Sequence, residues 1–393
     1  MRKAGVFLRV RSTGAGYVQT IKTARAESEF LERREWECVL PSNAFDLSAA
    51  KGTALAPLLS DSVLAALGPR FETRFVRQTH LIDDEGTLVE AAVDQGDIVA
   101  GDNSTRVCEL ELELKSGKCA TLFSLAKYLA ETVPLTLSVK TKAERGFDLL
   151  DGGEPEFERA LPIDIAPEET CANAFRIVAR NCLRQVLVNL PGTRAGHAES
   201  LHQMRVGLRR LRAAVTLFGD VVDGPHRAQI GDELKWIAGR LGRARDLDVF
   251  ISDIMEPHRA DYPDDLGWKA VEERVRRARE EAYKAAVVAT GSARFRLALL
   301  DVGAWIEFGD WTEGSNRLAR EPVEGYASAT LSQLRRSVVK KGKDLQKLSV
   351  PQRHRLRIRA KQMRYGSEFF SATFPGKRSA KRCRKSLAAL EKL

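Results

Sequence analysis

The chain has 393 residues, which is enough for two domains with hydrophobic cores of their own. Hydrophobic residues make up 44% and charged residues 30%, a balance that excludes a disordered or fibrous protein. No apolar run approaches the ~20 residues of a membrane-spanning helix, which argues against a transmembrane protein. The six cysteines are scattered without a Cys-x-x-Cys pair. That pattern argues against a zinc site or a disulfide framework and predicts a cytoplasmic protein.

Positive charge is concentrated towards the C-terminal end. The net charge is +10, and residues 331–393 hold 19 Lys and Arg against 3 Asp and Glu. Residues 1–150, in contrast, hold 19 basic and 21 acidic residues. A field of this strength indicates an anionic partner, such as nucleic acid, an acidic membrane surface or polyphosphate. A solvated charged face is the alternative that composition leaves open.

Residues 1–150 are predicted to be mostly β. Alternation predicts strands at 7–11 and 17–23 around Gly14-Ala15-Gly16, which is a hairpin signal. Further predicted strands span residues 33–40, 73–80, 88–93, 107–115 and 135–142, and a helix spans 121–131. A Gly, Pro and acid-rich stretch then predicts a linker over 151–160. From about residue 167 a period of 3.6 predicts long amphipathic helices. The fold class is therefore α+β (1–150) followed by all-α (161–393).

Carboxylates repeat on one face of the strand predicted at 107–115. Residues two apart share a strand face, so Glu109, Glu111 and Glu113 are neighbours. Their repulsion is relieved if a cation lies among them, and carboxylates suit Mg²⁺ or Mn²⁺. Nearby Arg and Lys side chains would suit a phosphate chain bridged by that metal. An ordinary half-exposed strand remains the alternative.

Five segments of the N-terminal region resemble a CYTH domain, the triphosphate tunnel fold, in the order of that family. They are LRVR (8–11), YVQTIK (17–22), REWE (34–37), ELELELKSG (109–117) and KTKAERG (140–146). The resemblance implies an antiparallel β tunnel that binds tripolyphosphate and hydrolyses it with a divalent metal. The implied phosphate ligands are Arg9, Arg11, Lys22, Arg34, Arg74, Lys140 and Arg145. Glu111 and Glu113 are the implied catalytic and metal residues, with Glu109 behind them. The family opens with a Glu-x-Glu-x-Lys strand, which we expect to be missing here.

The helical region contains an internal repeat with an offset of 152 residues. Residues 201–212 match residues 353–364, and the repeat predicts two related helical bundles at about 165–300 and 320–393. Its polar positions form one stripe on each helix. The matched pairs are His202/His354, Arg205/Arg357, Arg209/Lys361 and Arg212/Arg364. Beside the first stripe, an apolar stripe at 201, 204, 208, 211, 215 and 218 is predicted to be core. Four stacked cations repel, so a duplicated stripe suggests that a linear polyanion neutralises both.

These residues resemble the CHAD domain, and LGRARDLDV (241–249) strengthens the match. The family is implied to bind inorganic polyphosphate along a basic groove between its bundles, through the eight paired residues. Asp246 and Asp248 are expected to order basic residues or cap helices. The repeat predicts that the last helix of the second bundle is missing.

Four functions remain open. The first is a polyphosphate-binding protein with a metal-dependent inorganic triphosphatase domain, associated with cytoplasmic polyphosphate granules. The second is a non-catalytic polyphosphate-binding module with a degenerate tunnel. Nucleic-acid binding is a third, but aromatic residues are only 7% and no stacking motif accompanies the stripes. A CYTH-type adenylate cyclase is the fourth, and the fused CHAD domain argues against it.

Overall fold

The computed structural model of the protein describes residues 6–14, 16–23, 35–65, 67–153, 157–312, 316–343, 345–374 and 376. Of the predicted site residues, Arg34 lies outside these ranges. The chain divides into two compact units. The first comprises Met1–Arg77, Asp94–Glu109 and Lys140–Glu154, and the second comprises Gln78–Val93, Leu110–Val139 and Pro155–Leu393.

The first sheet has three antiparallel strands in the order β1 (Val6–Thr13), β2 (Gly16–Thr23) and β3 (Glu35–Leu40). Its first two strands form the predicted hairpin. The register pairs Arg9 with Thr20 and Lys22 with Glu35. Since side chains alternate along a strand, polar side chains from all three strands share one face of the sheet.

The opposite face of this sheet is apolar and covers a small core. Buried Val6 and Ile21 pack there with Ala50 and Leu55. The last two belong to a covering segment with 3₁₀ turns at Ser48–Ala50 and Ala56–Leu58, followed by helix α1 (Asp61–Ala65). Because the apolar side chains take this face, the charged side chains are confined to the other one.

The second sheet contains β4 (Glu72–Asp84), β5 (Thr87–Ala100) and β6 (Asn103–Ser116), in that order. Glu85 and Gly86 connect β4 to β5 with φ of +49° and +81°, the left-handed backbone that a two-residue hairpin turn requires. Helix α2 (Ala120–Thr132) follows and confirms the helix predicted at 121–131.

The strand predicted at 135–142 is wrong. The chain has no regular structure at 134–139, and helix α3 (Lys142–Leu150) begins directly afterwards. Thr141 caps this helix: its hydroxyl accepts from the Glu144 N–H, and the Glu144 carboxylate accepts from the Thr141 N–H. This capping box outweighs the alternating pattern. The alternating side chains Leu137 and Val139 instead pack against the helical core.

The remaining elements are helical. They are α4 (Cys171–Val188), α5 (Leu190–Arg194), α6 (Ala198–Leu217), α7 (His226–Arg240), α8 (Gly242–Phe250), α9 (Glu256–His258), α10 (Leu266–Gly291), α11 (Ala293–Phe308), α12 (Arg317–Arg320), α13 (Val323–Gly342) and α14 (Val350–Phe369). A π-helical turn (Ile251–Met255) joins α8 to α9, and 3₁₀ turns occur at Arg259–Asp261, Asp310–Thr312 and Leu345–Lys347. Among the described residues, no helix is long and apolar enough to cross a membrane.

Helix α2 packs within the helical unit. Its Phe123 contacts Phe308 of α11 edge to face at 5.9 Å, and Gly303 leaves room for that ring. Lys127 of α2 also forms an ion pair with Asp301 of α11. Residues 110–139 therefore belong to the helical unit, although the sequence pattern groups them with the strands.

Helix α6 lies at the centre of the helical core. The predicted apolar stripe is buried, with Leu201, Met204 and Phe218 at 0% exposure. A second face of α6, with Gly207, packs against α4, where a Cβ on Gly207 would lie 3.0 Å from Val186. Only the arc that carries the predicted basic stripe stays open to solvent.

The sequence repeat is a structural repeat. The first residues of α4 and α13, and those of α6 and α14, are each separated by the same offset of 152 residues. The residues just before α4 and α13 form an isolated antiparallel bridge, Thr170 with Pro322. Around it Cys171 N–H donates to Glu321 O at 2.9 Å, and Val323 N–H donates to Glu169 O at 2.7 Å. These two bonds exchange under the offset, as a twofold relation between the two helix pairs requires.

One arginine of α6 is buried and ties three helices together. Arg210 is 2% exposed. Its guanidinium donates to Asn181 Oδ1 (3.1 Å) and Gln185 Oε1 (2.8 Å) of α4, and to Glu368 Oε1 (2.9 Å) of α14. Gln185 in turn donates to Gln203, and Gln203 donates to Glu199. A buried charge is tolerated only when it is paired in this way.

We expect Arg210→Met to lower the free energy of unfolding by about 3 kcal/mol, since it leaves the polar partners of the guanidinium unpaired in the core. Chemical denaturation measures this loss. Arg317→Met is the control, because Arg317 is 92% exposed in its ion pair with Glu321 and should change the stability by less than about 0.5 kcal/mol. Equal stability of the two variants would contradict the anchoring role of Arg210.

Candidate functional site

The polar face of the first sheet carries alternating cations and carboxylates. The Arg11 guanidinium donates to Glu37 Oε1 at 3.2 Å, and the Thr20 hydroxyl donates to the same oxygen at 2.9 Å. Lys22 forms an ion pair with Glu35 on the neighbouring strand. These side chains, together with Arg9 on β1, form the charged face of the first sheet.

A second charged group lies on β4, β5, β6 and α3 of the same compact unit. Asp94 has 0% exposure and accepts two hydrogen bonds from Arg77, at 2.7 and 2.6 Å. Lys142 reaches Asp94 at 2.9 Å and Glu109 at 2.8 Å, and Arg145 donates to Glu109. Desolvation alone would raise the pKa of Asp94, but its hydrogen bonds to Arg77 and Lys142 hold the pKa below its usual value.

The two groups act on each other through Arg9. Burial, Arg11 and Arg77 lower the pKa of Arg9, while Glu35 and Glu37 partly offset them. The Nε atoms of Arg9 and Arg11 are buried without an acceptor in the part of the chain that the structure describes. Orphaned guanidinium donors between two charged groups are suited to an anion with several oxygens.

Two of the predicted phosphate ligands are placed differently from the expectation. Arg74 lies on the other face of β4 from Arg77, with its side chain 66% exposed and paired with Glu72. Its side chain therefore lies away from this charged group, and its role as a phosphate ligand stays a prediction. Lys140 pairs with Asp148 of α3 at 2.7 Å. The pattern missed Arg77 and Lys142, since only the observed strand register and helix start reveal which cations face inward.

The predicted metal carboxylates do not form a cluster. Glu109 is engaged by Lys142 and Arg145, and Glu113 contacts Lys115 at 2.9 Å. Glu111 lies between them on β6 and is exposed. The described residues contain no group of three His, Cys, Asp or Glu side chains placed to hold a metal ion. The donor set, as arranged here, does not fit a divalent cation, and the assignment of Glu109, Glu111 and Glu113 stays a prediction.

In the helical unit, the two basic stripes lie on α6 and α14. The first basic stripe is His202, Arg205, Arg209 and Arg212, and the second is His354, Arg357, Lys361 and Arg364. Arg209, Arg212, His354 and Arg357 are exposed, while the other four are partly buried. Arg364 also lies over the Tyr365 ring at 4.5 Å.

Helices α6 and α14 pack against each other, and Arg209 of the first stripe acts electrostatically on Lys361 of the second. Burial lowers the pKa of Lys361, and so do Arg357, Arg209 and Arg364. Every charge that acts appreciably on this ammonium is positive, and one of them comes from the opposite stripe. Such a cluster of cations is locally unfavourable and is stabilised when an anion binds among them.

His202 lies in the second turn of α6, whose N-cap is His197, so it does not cap the helix. Burial is the largest cause that lowers the pKa of His202, and the positive charge of Arg245 on α8 is the next. Arg209 and Arg205 lower this pKa further, whereas the carboxylate of Glu199 raises it. Arg205 also donates to the Ala238 carbonyl at the end of α7, at 2.8 Å. Arg245 is thus a further cation of this site, which the repeat could not reveal because it lies outside the matched segment.

The two aspartates of α8 differ in their surroundings. Asp248 is buried and accepts from Arg279 Nε and from the Tyr283 hydroxyl, both at 2.7 Å. Asp246 is exposed and raises the pKa of Arg205, against the effect of burial. Asp248 therefore orders a basic residue, Arg279, while Asp246 acts on Arg205 through its charge.

Family models match both parts of the chain. The family model of the CHAD domain matches residues 177–393, and that of the CYTH domain matches residues 1–147. The chain belongs to the CHAD domain family, with a CYTH domain before it. The crystal structure of the CHAD domain from the plant Ricinus communis is 27% identical, with a TM-score of 0.51, and the alignment covers 60% of this chain and 78% of that one.

A curated relative matches a shorter stretch. It is the inorganic triphosphatase of Haemophilus influenzae, 36% identical over 83 residues. The match covers 21% of this chain. It spans 24%, about a quarter, of the length of that relative.

We expect Arg245→Gln to raise the pKa of His202, because a neighbouring cation disfavours the protonated imidazole. A histidine NMR titration measures this shift. Arg243→Gln on the exposed side of α8 is the control and should leave the His202 titration unchanged. An unaltered pKa in Arg245→Gln would place Arg245 outside the site. In the wild type the pKa of His202 is lower in the folded chain than in the unfolded chain, so the unfolded chain binds more protons. The contribution of His202 to the free energy of unfolding is therefore present at higher pH and is lost as pH falls below about 6.5.

Proposed function

We propose that this protein binds inorganic polyphosphate through the two basic stripes of its helical unit. The observation that carries the proposal is that the two stripes lie on helices that pack against each other, with Arg209, Arg212, His354 and Arg357 exposed on them. Guanidinium forks and an ammonium suit phosphate oxygens along a chain, and His202 can donate from a ring nitrogen. The CHAD family resemblance supports the same ligand.

Nucleic acid fits these stripes less well. Binding of single strands relies on aromatic side chains on which bases stack. The only aromatic ring in contact with a stripe residue is that of Tyr365, within the described part of the chain, and this residue is buried beneath Arg364. A phosphate chain has no bases and needs only the cations.

Long-chain polyphosphate should bind the wild type, and the double variant Arg212→Gln/Arg357→Gln should bind it at least about tenfold more weakly, since two charge-assisted contacts are removed. Both residues are exposed, so the fold should persist. Calorimetry at physiological ionic strength measures the affinities. Arg317→Gln, an exposed cation outside the stripes, is the control. Undiminished binding by the double variant would refute the stripes as the binding site.

A second function, of triphosphatase type, is favoured for the N-terminal unit by the match to the CYTH model and to an inorganic triphosphatase. Arg9, Arg11 and Arg77 would bind the phosphate oxygens, and Lys142 and Arg145 would exchange their carboxylate partners for the ligand. The CYTH triphosphatases are generally metal-dependent, with Mg²⁺ or Mn²⁺ as the expected ion. Because the carboxylates described above do not fit a divalent ion, no catalytic step is assigned to one.

Tripolyphosphate should bind the wild type, and Arg9→Gln/Arg11→Gln should weaken that binding by about tenfold or more, because the orphaned Nε donors are lost. Arg74→Gln is the matched control on the outer face of β4 and should bind as the wild type does. Phosphate release with Mg²⁺ or Mn²⁺, and with EDTA, tests hydrolysis in the same samples. Loss of binding in Arg74→Gln, but not in Arg9→Gln/Arg11→Gln, would contradict the assignment of Arg9 and Arg11 as phosphate ligands.

A further inference from the structure

Helices α13 and α14 are joined through a strongly basic segment, residues 335–359, which we call the basic tip. It comprises the end of α13, the 3₁₀ turn Leu345–Lys347 and the first half of α14. The basic tip contains ten Lys and Arg residues and one acidic residue. The corresponding segment of the first repeat, residues 183–207, contains three and one. The helical repeat as such therefore does not require this charge.

The start of α14 does not account for the charge either. This helix begins with a capping box between Ser349 and Gln352 and has no acidic residue in its first turn. Arg353 follows there instead, although a cation opposes the positive end of the helix dipole. Its guanidinium donates to an uncharged acceptor, Leu348 O, at 2.9 Å. With one acidic residue among ten cations, most of the charge of the basic tip is left for an anion from outside.

Exposed aliphatic side chains lie among these cations. Val339, Leu345 and Val350 are 55%, 54% and 76% exposed. In the first repeat, Leu187 and Thr193 occupy the positions of Val339 and Leu345 and are only 5% and 1% exposed. Helix α10 packs on α5 at that end of the first repeat. The basic tip therefore leaves open to solvent a face that the first repeat buries.

The composition of the basic tip indicates which anionic partner fits it. A free phosphate chain needs only the cations and gains nothing from exposed aliphatic groups. Single-stranded nucleic acid relies on aromatic rings on which bases stack, and residues 335–359 contain no Phe, Trp or Tyr. Aliphatic side chains among cations fit the boundary of an anionic bilayer, where the cations contact lipid phosphates and the apolar groups enter the acyl region.

We propose that the basic tip docks on a membrane surface that contains anionic phospholipids. Leu345 and Val350 enter the boundary between headgroups and acyl chains, while Lys340 and Lys341, both exposed, contact the lipid phosphates. These four residues lie outside the basic stripes, so the proposal does not rest on polyphosphate binding. The docking is peripheral and requires no membrane-spanning helix.

Flotation with vesicles at physiological ionic strength tests the proposal. We expect the wild type to bind phosphatidylcholine vesicles that contain about 30% phosphatidylserine, and to bind them less tightly as the salt concentration rises. Leu345→Ser/Val350→Ser should bind about tenfold less tightly, because apolar area that enters the bilayer is lost. Lys340→Gln/Lys341→Gln should also bind about tenfold less tightly, because two charges that the anionic surface attracts are lost.

Matched controls lie on α10. Val288→Ser removes an aliphatic side chain that is 75% exposed, and Lys284→Gln removes an exposed cation; both should bind as the wild type does. Thermal unfolding checks that all variants are folded. Absence of binding by the folded wild type, equal binding to vesicles without phosphatidylserine, or binding that neither double variant weakens would overturn the proposal. Unchanged polyphosphate affinity of Leu345→Ser/Val350→Ser, measured in parallel, supports a membrane contact separate from the stripes.

Discussion

The buried guanidinium of Arg210 is the constraint on which the arrangement of the helical unit depends. It holds α6 against α4 through Asn181 and Gln185, and against α14 through Glu368. Because a buried cation must keep its partners, these contacts fix how α6 and α14 lie against each other. The residue before it, Arg209, is exposed on the open arc of α6 and acts electrostatically on Lys361. The two adjacent arginines therefore differ: Arg210 is paired with polar partners in the core, and Arg209 is exposed where an anion can bind it.

The two charged regions differ in how their cations are balanced. In the N-terminal unit most cations have a carboxylate partner: Arg11 pairs with Glu37, Lys22 with Glu35 and Arg77 with Asp94. A triphosphate would have to displace such partners, which offsets part of its binding energy. Around Lys361 the acting charges are all positive, so a bound anion relieves repulsion instead of replacing an existing ion pair.

The sequence predicted the structure correctly where a hydrophobic or turn pattern was clear, or where a segment was repeated. The hairpin around Gly14, the helix at 121–131, the buried apolar stripe and the 152-residue repeat all follow from spacing, and the structure has them. It failed where tertiary partners decide. The alternation at 135–142 gave way to a capping box, and the pattern did not reveal that Arg74 lies on the opposite face of β4 from Arg77. The burial of Arg210 could not be predicted, because the position of a charged residue on its own helix does not show whether two other helices supply polar partners for it.

The buried face of α6 explains why the basic stripe is where it is. Gly207 allows α4 to approach, and Gln203 and Arg210 satisfy its polar groups there, while Leu201, Met204 and Leu208 fill the other side. Once both faces are taken, one arc of the helix remains in contact with water, and any charge that α6 carries without a buried partner must lie on it. The repeat places the equivalent arc of α14 beside it. The position of the basic stripe on α6 is therefore a consequence of packing this helix on two sides.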